Sequence, residues 1–144
     1  MQAAGAKKAS STATAIRQAL DKLNARRIVL VTPYSQAVTD HEALFFDAIG
    51  IEVLGAIGHS LKDSDAYCST PPSFWLESTL AARHPDADLY FVSCANISAF
   101  SVIEELERRL GRPVISSNQV VVWDQLSRLG LDGRGSCPGR LLVA

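Results

Sequence analysis

The chain has no excess of charge of one sign, few cysteines and no long apolar run. Fourteen Lys and Arg stand against fifteen Asp and Glu, a net charge of −1. That balance gives no general affinity for polyanions, so nucleic acid is not expected as a partner. No segment approaches the roughly 18 consecutive apolar residues of a membrane span, so no membrane partner is expected either. The stretch "MQAAGAKKASSTATA" has two lysines with no apolar core behind them, which is not a secretory leader. The three cysteines, at 68, 94 and 137, form no CxxC pair. They point to neither a zinc site nor a disulfide framework, and free thiols in a reducing cytoplasm are the simplest expectation. HxxxH and His/Asp clusters are missing, so no metal is expected. GxGxxG and GxxxxGKS/T are missing too, which argues against a nucleotide cofactor.

What is present reads as one soluble domain. The chain has 144 residues, 47% hydrophobic and 20% charged, enough to bury a core. "RRIVLVTPY" predicts a buried strand over 28–31, ended by Pro33. A helix over 35–49 follows, with Val38, Phe45 and Ile49 at helical spacing and Gly50 at its C-cap. A strand over 51–57, a polar loop over 58–71 and a helix over 72–83 come next. Then come a strand over 89–93, a helix over 98–110, a short strand over 112–116 and a last helix over 119–130. The Gly-rich tail, 131–144, reads as irregular. Alternating strands and helices predict an α/β fold, a four-stranded parallel sheet with helices on both faces. The crossovers should be right-handed.

Ligands of such sheets bind beyond the carboxyl ends of the strands, near the switch in strand order. The residues expected there are Thr32-Pro33-Tyr34, Gly58-His59, Cys94-Ala95-Asn96 and Ser116 to Gln119. Cys94 would sit in the turn opening the helix of 98–110, where the macrodipole favours a thiolate or a bound anion. The N–H groups of Ala95 and Asn96 could cradle a carboxylate or enolate oxygen. Tyr34, Ser116 and Ser117 could add donors. A thiol beside an anion hole suits proton transfer at carbon, or addition to an activated double bond. The competing reading is that Cys94 is a small buried hydrophobe. His59 is a candidate for orienting a substrate. Cys68 and Cys137 read as incidental, Trp75 and Trp123 as packing, and the Glu/Arg run 104–109 as a solvated helix face.

"VTPY", the Lys-Lys-then-Ser/Thr entry and "SCANISAFSVIEELERRLGRPVISSNQVVVWDQLSRLG" resemble the aspartate/glutamate racemase superfamily. Within it they are similar to the C-terminal half of the maleate cis-trans isomerase and arylmalonate decarboxylase branch. The resemblance implies the flavodoxin-like half of a two-domain, racemase-type fold with the active site between the domains. It implies cofactor-independent chemistry on a small carboxylic acid, with maleate isomerisation first. Arylmalonate decarboxylation, amino-acid or hydantoin racemisation, and a non-catalytic remnant that binds a carboxylate or a partner stay open as alternatives. Cys94 matches the second-half catalytic cysteine, Tyr34 a carboxylate-holding tyrosine, and the Ala95 amide part of an oxyanion pocket. Asn96, Ser117 and Asn118 join them as expected substrate-binding residues, with Gln119 shaping the cleft. By the same resemblance, residues 1–14 are linker-like and 15–118 form the second domain. Residues 119–144 would pack on a first domain that this sequence does not contain. The expectation is weak or no activity alone, and either a homo-oligomer or a partner supplying the first domain.

Overall fold

The computed structural model describes residues 9–133 and 137–142. Strands β1 (Arg27–Thr32), β2 (Glu52–Gly58), β3 (Leu89–Val92) and β4 (Val114–Ser116) form one sheet. They pair in parallel, in the order β2-β1-β3-β4. Side chains alternate across a sheet. Along β1, Ile28 and Leu30 therefore join one buried cluster, and Val29 and Val31 the other. Because both faces are covered, β1 and β3 read as unbroken apolar runs in the sequence.

Helices α1 (Thr12–Lys22), α2 (Gln36–Ala48) and α6 (Ser117–Leu129) cover the first face, through Leu20, Phe46 and Val120. Helices α4 (Pro72–Ala81) and α5 (Ile103–Leu110) cover the second, through Trp75, Ile103 and Leu106. The expected α/β sheet with helices on both faces is thus present.

The structure changes several details. The series opens with α1 rather than a strand. Ser11 caps this helix by accepting from the Thr14 N–H. The loop 58–71 contains a short helix, α3 (Ser64–Ser69), because Asp63 accepts from the Ala66 N–H and starts a turn. The helix expected over 98–110 is a 3₁₀ turn (Phe100–Val102) followed by α5. Its charged run is not all solvated. Glu107 is only 6% exposed and accepts from the backbone N–H groups of Val114 and Arg140. These bonds offset the cost of burying the carboxylate, which still titrates above its usual range because of burial.

The last helix starts at Ser117, not at 119, since Ser116 caps it by accepting from the Gln119 N–H. It packs on α1 and on the sheet, and Val120 is fully buried. The tail is not wholly irregular. A 3₁₀ turn, Arg140–Leu142, buries Leu141, and Gln119 Nε2 donates to the Pro138 carbonyl at 2.5 Å. Cys137 lies near this turn and is half-buried.

The strand order positions the site. From β1 the chain moves outward to β2, then crosses back over β1 to reach β3. The direction of travel therefore reverses between β1 and β3, and their carboxyl ends open a crevice.

Candidate active site

Tyr34 follows β1 in a turn held from two sides. Its N–H donates to Thr32 Oγ1 at 3.2 Å, and its carbonyl accepts from the Ser60 N–H at 2.8 Å. The Pro33 carbonyl accepts from the Leu61 N–H at 2.9 Å. The loop after β2 therefore clamps the turn that carries Tyr34. The Tyr34 ring also meets Tyr67 of α3 edge to face, with centroids 5.9 Å apart.

Cys94 lies just past β3 and is only 6% exposed. Its N–H donates to Ser117 Oγ at 3.1 Å, and its sulfur accepts from the Asn96 N–H at 3.3 Å. Ser117 is the first residue of α6, so the helix start beside the thiol belongs to α6. The helix expected to open at Cys94 begins later, with the 3₁₀ turn at Phe100, because the chain turns and bends over residues 95–98.

The crevice holds a cavity of about 370 Å³. Ile16, Phe45 and Phe46 make its apolar wall, and Tyr34, Glu42, Ser93, Cys94 and Ser117 its polar wall. Thr12 and Ala13 of α1 and the exposed Ala95 complete it. The Tyr34 side chain engages that of Cys94. Burial, then Cys94, and behind it the charge on Glu42, push the Tyr34 phenol far above its usual range. It therefore stays protonated and can act as a donor.

Of the residues expected from the sequence, Tyr34, Cys94, Ala95 and Ser117 converge on this cavity. Asn96 reaches Cys94 through its backbone, while its side chain turns to α3. There its amide donates to the Ser64 carbonyl and hydroxyl, at 3.3 and 3.2 Å, and its Oδ1 accepts from the Cys68 thiol at 2.9 Å. Asn118 is half-buried and does not line the cavity. Gln119 is fully buried and engaged with the tail. His59 stands on the other face of the sheet, against α4. Its Nε2 is 2.5 Å from Ser78 Oγ, its ring is 4.7 Å from that of Phe74, and burial lowers its pKa.

Glu42 and Ser93 were not anticipated. Ser93 Oγ donates to Glu42 Oε1 at 2.5 Å, and burial, only partly offset by that bond, raises the Glu42 pKa. The signal was present in the spacing. Thr39, Glu42 and Phe46 stand three and seven residues apart on α2, one helical face, and Thr39 and Phe46 are fully buried. No group of three or more His, Cys, Asp or Glu among the described residues is placed to hold a metal ion. Among them, no helix is long and apolar enough to cross a membrane.

A parallel α/β domain that presents a buried cysteine and a tyrosine at its switch-point crevice is the class that this fold and site define. Residues 1–142 match the arylmalonate decarboxylase family, and the chain belongs to it. It is 29% identical over 132 residues to an arylmalonate decarboxylase of Bordetella bronchiseptica, covering 90% of this chain and 55% of that protein. It is 27% identical over 133 residues to a maleate isomerase of Alcaligenes faecalis, covering 92% of this chain and 53% of that protein. Its fold is similar to that of the maleate isomerase Iso from Pseudomonas putida S16, with a TM-score of 0.85 and 27% identity. That match covers 91% of this chain and 53% of the isomerase. The chain thus spans about half the length of the relatives it matches.

Proposed function

We propose that the cavity binds a small carboxylic acid and that Cys94 carries the chemistry, as an isomerase or decarboxylase related to the proteins above. The observation that supports this most is the convergence of Cys94, Tyr34 and Ser117 on one cavity at the switch point. Its volume, about 370 Å³, falls within the range of small-molecule sites. Maleate isomerisation is the first reading. The Cys94 sulfur adds to one alkene carbon, and the π pair moves to the other carbon and its carboxylate as an enediolate. The former double bond turns, and the pair returns to expel the sulfur. In decarboxylation, carbon dioxide leaves its electron pair on the α-carbon, and the Cys94 thiol supplies the proton. Both courses develop charge on a carboxylate oxygen. The Ala95 N–H, the Ser117 hydroxyl and the Tyr34 hydroxyl are the groups assigned to hold it, with the Asn96 backbone N–H donating to the Cys94 sulfur. Neither course requires a cofactor.

Activity is the direct test. The purified chain is incubated with maleate, a phenylmalonate and aspartate, products are followed by NMR, and Cys94→Ala is run in parallel. The expected result is product from one of the first two acids, reduced at least about a hundredfold in the variant. Product from aspartate would move the assignment to racemase chemistry. A folded protein that binds these acids without turning any over would leave a carboxylate-binding domain.

A covering body belongs to the same reading. Leu44 and Phe45, on the α2 helix that walls the cavity, are 62% and 42% exposed. Closing the site over a substrate requires that edge to be covered, by a first domain or by a second copy, the latter seen as a mass above the monomer in solution.

A further inference from the structure

We propose that Glu42 is a substrate-carboxylate ligand that works in its neutral form, so that each acid bound brings one proton into the site. This rests on the reading that the cavity takes a carboxylic acid, and adds which group receives it and in what charge state. The geometry carries it. Glu42 reaches from α2 to the carboxyl end of β3, where Ser93 Oγ donates to its Oε1 at 2.5 Å. Glu42 lines the cavity that holds Cys94 and Tyr34.

Among the described residues, none that lines that cavity is a lysine, arginine or histidine. A carboxylate guest would meet the Glu42 carboxylate with no cation from these lining residues between them. Two like charges at such range cannot both persist in a partly desolvated site, so one takes a proton, as in paired-carboxylate sites. The other elements around the cavity offer little else that titrates. Thr12, Ala13 and Ile16 of α1 and Ser117 of α6 are uncharged. Among the described residues of the lining, Tyr34 and Cys94 are the only other titratable groups, and Tyr34 is held in its protonated form. Burial of Glu42 already biases it towards the neutral acid. Once protonated, its hydroxyl donates to a substrate carboxylate oxygen, where the charged form would repel it.

The test is calorimetric and does not depend on turnover. Succinate, which has no double bond to isomerise, is titrated into the intact protein in buffers of differing ionisation heat. The pH runs from about 6.5 to about 8, where succinate is a dianion. The wild type should take up close to one proton per succinate, and its affinity should fall by about tenfold per pH unit above the titration of Glu42. Glu42→Gln supplies a neutral donor at the same place. It should bind at least as tightly, take up no proton and show a flat pH profile. Binding by the wild type without proton uptake overturns the inference and leaves the carboxylic-acid reading standing. So does uptake that persists unchanged in Glu42→Gln, or a Gln variant that binds as weakly as Glu42→Ala. Failure of the wild type and of Glu42→Gln to bind succinate, maleate or phenylmalonate at any pH would overturn both.

Discussion

Cys94 is held by its backbone as much as by its side chain. Its N–H, buried, is donated to Ser117 Oγ at 3.1 Å, and the Asn96 N–H is donated to its sulfur. The first bond spans 23 positions of sequence and ties the end of β3 to the start of α6. Ser117→Ala removes the acceptor and leaves a buried amide unpartnered, at a cost of about 1–3 kcal/mol. Chemical denaturation of the variant should show a loss in that range. A change below about 0.5 kcal/mol would mean the amide finds another acceptor. At this scale the sequence was informative wherever a residue sits at the end of an apolar strand. Tyr34, Cys94 and Ala95 could be placed that way, because chain direction and strand length put them at one edge. Glu42 shares a helical face with Thr39 and Phe46, but its partner was not legible, since a glutamate within a helix reads as solvated until the opposing Ser93 is known. Glu107 misled for the same reason, its partners being backbone amides distant in sequence.

Among the elements, the turn after β1 depends on the end of β2. The Thr32 and Thr39 hydroxyls lie 2.6 Å apart beneath it, and Gln36 Oε1 accepts from the Gly58 N–H at 3.0 Å. A Cβ on Gly58 would stand 2.6 Å from Thr39 Oγ1, 2.8 Å from the Tyr34 carbonyl oxygen and 3.0 Å from the Gln36 Cα. Two of those atoms are backbone, so the turn itself must give way. Gly58→Ala is therefore expected to destabilise the protein by about 1–3 kcal/mol, read from the denaturation midpoint. It should also weaken carboxylate binding, because Tyr34 moves with the turn. Unchanged stability together with unchanged binding would mean the turn is loosely held. Element identity was largely legible, since four apolar runs separated by amphipathic stretches allow few other arrangements. Boundaries were less so. Ser116 starts α6 earlier than its apolar pattern suggests, and Asp63 nucleates α3 within a polar loop, because capping side chains act ahead of the periodic residues.

At the scale of the whole molecule, the exposed apolar residues are not scattered evenly. Val38, Leu44 and Phe45 lie along α2, and Val122 and Leu129 along α6, all at least 40% exposed. The proposed covering body would account for the α2 group, which adjoins the cavity. Light scattering across a dilution series should therefore give a mass above that of one chain, falling towards it in Leu44→Glu. A constant monomer mass at every concentration would remove self-association as the source of that cover. The amino-acid sequence by itself determined the sheet, since strands buried on both faces must be continuous apolar runs and parallel strands need helical crossovers. It also determined that a cysteine and a tyrosine stand at one edge of that sheet. Only the tertiary structure decided their company. The Glu42–Ser93 pair, the amide held by Ser117 and the buried Glu107 each join residues more than six positions apart, and such contacts exist only once the elements have packed. Periodicity reports which face of an element is covered, and packing decides what covers it.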